Sequence, residues 1–155
     1  MSSSKESQKA KPKPVIKDDV SNLKQLGSKE TDYIYDLPHA GMLETFENKD
    51  QKTSYTIFLE FNEFTSLCPK TGQPDFAKIE IRYTPKKKCV ETKSLKLYFF
   101  AYRNYGTFME TATNKIKDDL VQVLKPVFLS VHSKFKTRGG IVLSVDSHYD
   151  EEDEI

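Results

Sequence analysis

Two runs of strict alternation constrain this chain more than anything else in it. Tyr55, Ile57, Leu59 and Phe61 alternate with Thr56, Phe58, Glu60 and Asn62, and Ala77, Ile79, Ile81 and Tyr83 alternate with Lys78, Glu80 and Arg82. Successive side chains of a β-strand point to opposite faces, so each run predicts a strand with one apolar face. Their proximity in the chain predicts an antiparallel pair. What joins them is Ser66-Leu67-Cys68-Pro69-Lys70-Thr71-Gly72-Gln73-Pro74-Asp75. Pro69 and Pro74 fix their own φ and Gly72 permits a turn. The stretch is too long for a tight hairpin, so it has room for function.

Within that loop Cys68 stands seven residues before Asp75. A thiol and an acid held together by a rigid turn can serve as nucleophile and proton donor. A buried, inert cysteine beside an ordinary turn aspartate is the plainer alternative, and a lone cysteine does not choose between them.

The period changes downstream. In Glu91–Tyr102, Leu95, Tyr98, Phe99 and Tyr102 recur at i, i+3, i+4 and i+7, with Leu97, Phe100 and Ala101 as a second apolar face. This predicts a mostly buried helix, although a strand period also fits the run. Residues 108–124 predict a clearer helix, with Phe108, Ala112, Ile116, Leu120 and Val123 or Leu124 on one face and Pro126 beyond its end. Alternation returns in Val127, Leu129, Val131 and Phe135, and again in Ile141, Leu143 and Val145, across a Thr137-Arg138-Gly139-Gly140 turn. The order β-β-α-α-β-β predicts an α+β fold, a four-stranded antiparallel sheet with two helices on one face. Open sheet edges favour pairing between copies.

Length suits one domain. Residues 1–30 are rich in Ser and Lys and lack aromatic residues, so they read as a disordered basic tail, with a weak RNA-binding arm as the alternative. The folded domain is expected over 31–149, followed by an acidic, disordered tail at 150–155. A net charge of +1 gives no push toward nucleic acid or an anionic membrane. No apolar run is long enough to span a bilayer. The two cysteines, Cys68 and Cys89, make no disulfide framework, and a cytoplasmic location is expected. His39, His132 and His148 are scattered without metal-ligand spacing, so no metal is expected.

At this point the residues resemble a known family. The order of elements is similar to the tunnelling fold, whose members bind purines or pterins at subunit interfaces. Glu91-Thr92-Lys93-Ser94-Leu95-Lys96-Leu97-Tyr98 resembles the signature of the NADPH-dependent 7-cyano-7-deazaguanine reductases, the QueF family of queuosine biosynthesis (tRNA modification). The Cys68-to-Asp75 spacing, Phe108-Met109-Glu110 and Arg138-Gly139-Gly140 also match motifs of its single-domain form, over roughly residues 40–148.

The resemblance implies a nitrile reductase. Cys68 would add to the nitrile carbon to give a thioimide, with Asp75 as proton donor. Two NADPH molecules would act in turn, the first hydride giving a thiohemiaminal that collapses to an imine, the second giving 7-aminomethyl-7-deazaguanine. Glu110 would read the purine-type ring through two parallel hydrogen bonds. Val90, Glu91, Thr92 and Met109 match the other substrate-contacting positions. Taken without the resemblance, Thr92 reads as the N-cap of a helix. Lys93 and Lys96, which match the signature's two lysines, and Arg138 are implied as ligands of the NADPH phosphates; no Gly-x-Gly-x-x-Gly is present, so NADPH would bind in a way specific to this fold. The Cys68 loop is expected to face Glu110 and the Lys93/Lys96 helix as one half of a site. A homo-oligomer of two stacked pentameric rings, a decamer, is implied, with no membrane or direct nucleic-acid partner.

One departure is plain. The position before the substrate-reading Glu is usually histidine in the family, and here it is Met109, which cannot transfer protons. Two other readings compete: a related tunnelling-fold enzyme of amidinotransferase type that passes the same thioimide to another nitrogen source, and a purine- or RNA-binding module without turnover.

Overall fold

A computed structural model describes residues 33–154. The expected N-terminal tail lies outside them. Four long strands, β2 (Ile57–Leu67), β3 (Pro74–Thr84), β5 (Phe128–Phe135) and β6 (Ser144–Asp150), form one antiparallel sheet in the order β2-β3-β5-β6. Two helices, α1 (Thr92–Phe100) and α2 (Met109–Leu124), fall between β3 and β5 in the chain. The expected four-stranded sheet and helix pair are therefore present. Two short strands that the alternation did not predict, β1 (Thr45–Glu47) and β4 (Lys88–Val90), pair with each other in a second sheet. At three residues each they are too short to show a period.

The core follows from the alternation. Ile79, Ile81 and Tyr83 of β3 and Leu129, Val131 and Phe135 of β5 are buried on one face. Leu95, Tyr98 and Phe99 of α1 and Ile116, Leu120 and Leu124 of α2 close over them in the same cluster. These are the apolar stripes read from the sequence, with exceptions at their ends: Phe108 precedes α2 as its N-cap residue and is 63% exposed, and Val127 and Ile141 lie outside the strands and are exposed.

Strand β2 departs from a simple period. Its register against β3 shifts between Phe61 and Phe64, with Phe61 opposite Ile79 and Phe64 opposite Ala77. Between those pairs two residues of β2, Asn62 and Glu63, face one of β3, Lys78, which is a β-bulge. Because the side-chain period is two, the inserted residue reverses the inward parity. Ile57, Leu59 and Phe61 are half-buried before the bulge, and Phe64 and Ser66 are fully buried after it.

Two expectations near the C-terminus are corrected. The last strand begins at Ser144, not at Ile141. Arg138 and Ile141 instead exchange two backbone hydrogen bonds around Gly139 and Gly140, whose φ values of 55° and 80° suit glycine. The acidic residues are ordered: Asp150 pairs with Phe128, Glu151–Glu154 form a 3-10 turn, and Glu151 bonds Lys86.

Candidate active site

Strand pairing carries the chain directly into the Cys68 loop. Cys68 N–H donates to the Gln73 carbonyl at 2.8 Å, and Gly72 N–H donates to the Cys68 carbonyl at 3.0 Å. Gly72 has a φ of 69°, which a side chain would strain. The loop is thus a closed turn of six residues, Cys68 to Gln73, between β2 and β3. Cys68 itself is half-buried. Its thiol is brought down to about 7, first by a hydrogen bond from the Thr71 side chain, then by the Thr71 and Lys70 backbone, with the Arg138 charge adding to them. A cysteine in that range is substantially thiolate at neutral pH, the form that acts as nucleophile.

Asp75 lies on β3 opposite Ser66 and is 3% exposed. A carboxylate so buried needs a partner. Arg138 provides it: Nη1 donates to Asp75 Oδ1 at 2.7 Å while Nη2 donates to Gln73 Oε1 at 2.8 Å. This link spans 63 residues, and neither alternation nor motif spacing pointed to it. The sequence had offered Arg138 as a phosphate ligand, and the structure places its guanidinium on Asp75.

The start of α2 joins the same end of the molecule. Leu67 N–H donates to the Tyr105 carbonyl at 3.0 Å and Thr107 N–H to the Leu67 carbonyl at 2.9 Å. Leu67 immediately precedes Cys68, and Thr107 lies two residues before Met109, so one bridge sets the loop beside the α2 N-terminus. Glu110 is exposed in the first turn of α2, where an acid is favoured by the helix dipole. Met109 is half-buried and packs against the core.

Val90, Glu91, Thr92, Lys93 and Lys96 sit elsewhere. They cluster at the start of α1, while the Cys68 loop meets the chain beyond the end of that helix, at Tyr105. A nine-residue helix is about 13 Å long, so within one chain the two groups lie at opposite ends of α1. The expectation that the loop faces the Lys93/Lys96 helix is not met within one chain. The cap is also different from the sequence reading: Glu91, not Thr92, is the N-cap. Its two carboxylate oxygens accept from Lys93 N–H at 2.8 Å and Ser94 N–H at 2.7 Å. Those bonds lower the Glu91 carboxyl below its ordinary range. Val90 is buried, its N–H donating to the Tyr83 hydroxyl at 3.1 Å. Lys93 and Lys96 are exposed and enter no ion pair among the described residues; the Lys96 ammonium lies 5.6 Å from the centre of the Phe100 ring.

Comparison with known proteins gives a consistent picture. A family model described as QueF-like protein matches residues 74–154. The NADPH-dependent 7-cyano-7-deazaguanine reductase of Streptococcus thermophilus is 52% identical over 132 residues, covering 85% of this chain and 79% of that protein. The enzyme of the same description from Nitrosomonas eutropha is 59% identical over 103 residues, covering 66% of this chain and 74% of that protein. The one from Helicobacter pylori is 52% identical over 129 residues, covering 83% and 86%. Among solved structures, an archaeosine synthase QueF-Like in the apo form superposes with a TM-score of 0.56 at 17% identity, over 60% of this chain and 91% of that one. That last likeness bears out the tunnelling fold. Among the described residues no helix is long and apolar enough to cross a membrane.

Proposed function

The chain belongs to the QueF-like protein family, and on that premise we propose that it reduces the nitrile of 7-cyano-7-deazaguanine to the primary amine of 7-aminomethyl-7-deazaguanine, with NADPH, in the cytoplasmic synthesis of queuosine. The observation that carries this is the Cys68 thiol, poised near neutral pH in a loop whose other end holds the buried Asp75.

A nitrile is a poor hydride acceptor. Cys68 thiolate adds to its carbon, the C–S bond forms, and a π electron pair moves to nitrogen. Asp75, having taken the thiol's proton as the thiolate forms, passes it to that nitrogen, leaving a thioimide whose C=N group is reducible. Glu110 accepts two N–H bonds from the guanine-type ring and orients the nitrile toward the thiol. Val90, Glu91 and Thr92 line the substrate through the chain at the β4–α1 junction, since the Glu91 carboxylate is engaged in capping.

Bound NADPH supplies the hydrides, two of them for a nitrile reduced to an amine. Lys93 and Lys96 have the chemistry to hold it: two exposed ammonium groups one helical turn apart, beside the positive end of α1.

The two residue groups at opposite ends of α1 become one site when a second copy places its α1 against the Cys68 loop. The open edges of β2 and β6, with Phe58 of β2 71% exposed, support assembly into rings, a decamer of two pentamers.

The test is to mix the protein with 7-cyano-7-deazaguanine and NADPH and follow the nicotinamide absorbance. NADPH consumption that is lost in Cys68→Ala supports the reductase. A covalent adduct mass without NADPH consumption indicates transfer of the thioimide to another nitrogen source. Absence of any adduct overturns both.

A further inference from the structure

We infer that Arg138 is a positioning residue of this site: its guanidinium holds the Asp75 carboxylate and the Gln73 side chain together, and so fixes the loop that carries Cys68, instead of binding a cofactor phosphate. This rests on the reading of Cys68 and Asp75 as nucleophile and proton donor.

The two arms of the guanidinium are separately committed, Nη1 to Asp75 at 2.7 Å and Nη2 to Gln73 at 2.8 Å. Gln73 in turn accepts the Cys68 N–H at 2.8 Å through its carbonyl. One residue therefore links Arg138 to the backbone of the nucleophile on one side, and one hydrogen bond links it to the acid on the other. The Arg138 backbone is itself pinned by the paired bonds to Ile141. A planar fork can bridge two acceptors at fixed angles, which a lysine cannot.

Burial decides between the two roles. Asp75 is 3% exposed, whereas the Arg138 side chain is 35% exposed. A phosphate taking the guanidinium arms would strand an almost wholly buried carboxylate, which is strongly unfavourable. The exposed Lys93 and Lys96 carry no such cost. The groups acting on the thiol are Thr71 and the Lys70 backbone within the loop and Arg138 across it, with Asp75 bonded to Arg138; Tyr105 and Glu110 lie on the segment bridged to Leu67. Of these, Arg138 adds its positive charge in favour of the thiolate.

The experiment compares wild type, Arg138→Ala and Arg138→Lys in three measurements: the pH dependence of Cys68 alkylation by iodoacetamide, assigned by peptide mass; the rate of adduct formation with the nitrile; and the KM for NADPH. For Arg138→Ala, alkylation at pH 7 slows roughly two- to fivefold as the thiol rises, adduct formation slows at least as much, and the KM for NADPH stays within about a factor of two. Arg138→Lys keeps the charge, so it restores the alkylation profile but not the adduct rate. Unchanged alkylation and adduct formation with a raised KM for NADPH would overturn the inference and make Arg138 a phosphate ligand. Should Arg138→Ala fail to fold, Arg138→Lys decides: a slowed adduct with normal KM supports the inference, and a normal adduct with raised KM overturns it. Alkylation needs no substrate, so it still tests Arg138 if wild type forms no adduct and the nitrile reading itself fails.

Discussion

The Tyr98 hydroxyl donates to Asp119 Oδ2 at 2.7 Å, joining α1 to α2 inside the core. Tyr102 shares the arrangement, its hydroxyl 2.9 Å from that of Tyr98. Lys115 reaches the same Asp119 oxygen at 3.0 Å from one helical turn away. One carboxylate oxygen thus ties together the two helices whose ends carry Glu91, Lys93 and Lys96 on one side and Glu110 on the other.

Removing that tie should destabilise the fold. Asp119→Ala leaves the buried Tyr98 phenol without its acceptor and Lys115 without its ion-pair partner, and should cost about 3 kcal/mol. Tyr98→Phe removes a donor and should cost about 1–2 kcal/mol. Lys115→Ala, at the surface of the network, should cost less than about 1 kcal/mol. Urea denaturation at pH 7 gives all three, and an Asp119→Ala protein as stable as wild type would show the network to be ornamental.

The same phenols make the fold sensitive to alkali. Burial, the dominant cause, raises Tyr98 and Tyr102 far above the ordinary phenol range and pushes Tyr83 up to about 12. In the unfolded chain these groups lose protons near pH 10, while in the folded chain they keep them. The folded state therefore binds more protons above pH 10, and stability falls as pH rises from there. Thermal melts should be flat up to about pH 9.5 and drop steeply by about pH 11.5. The share of tyrosinate absorbance due to Tyr83, Tyr98 and Tyr102 should appear together with unfolding.

The sheet and both helices were legible because each repeats its period several times over. The β-bulge of β2 was not. It reverses the inward face between Phe61 and Phe64, and a reversal of parity looks like the end of a strand when only the sequence is read. The cap of α1 is one residue earlier than residue type suggests: Thr92 is a common cap type and Glu91 is not, yet the longer Glu91 side chain reaches two N–H groups at once. In the candidate site, Cys68, Asp75 and Glu110 are named by spacing and family likeness, and the backbone bridge at Leu67 that sets the loop beside the start of α2 has no signal in either. The Arg138–Asp75 pair was invisible because it depends on where the β5–β6 turn lands after folding. The separation of Lys93 from Cys68 was equally hidden, since a sequence does not say which chain completes a site.

Thr71 is the largest influence on the Cys68 thiol. Thr71→Val keeps the shape and removes the hydroxyl. The alkylation midpoint of Cys68 should move from about 7 upward, toward the free-cysteine value of about 8.5. The sign is fixed by what the hydroxyl does: it donates to the thiolate, so losing it favours the thiol. At pH 7 adduct formation should slow, and at pH 9 the two proteins should converge. Equal rates at pH 7 would mean that Thr71 has no part in activation.

Met109 stands where the family likeness calls for histidine. It is half-buried at the first position of α2, next to Glu110. A histidine there could donate a hydrogen bond or relay a proton, which a thioether cannot. Met109→His should raise kcat for NADPH oxidation about tenfold or more, with Cys68 alkylation unchanged. If kcat is unaltered, the proton supply of this chain is already sufficient without that residue.

Cys68→Ala should be inactive because the nucleophile is gone. Lys93→Ala with Lys96→Ala should raise the KM for NADPH while leaving adduct formation normal. The loop and the lysines lie at opposite ends of α1 within one chain, so a composite site would take one from each of two copies. Co-expression of the two variants then creates interfaces of every combination. A wild-type loop meets a wild-type α1 at about a quarter of them when the copies mix at random. At an NADPH concentration too low for the lysine variant, the mixed oligomer should recover roughly that fraction of wild-type activity, while each variant alone stays near zero. Were both groups supplied by the same chain, no interface in the mixture would hold a complete site, and mixing would recover nothing.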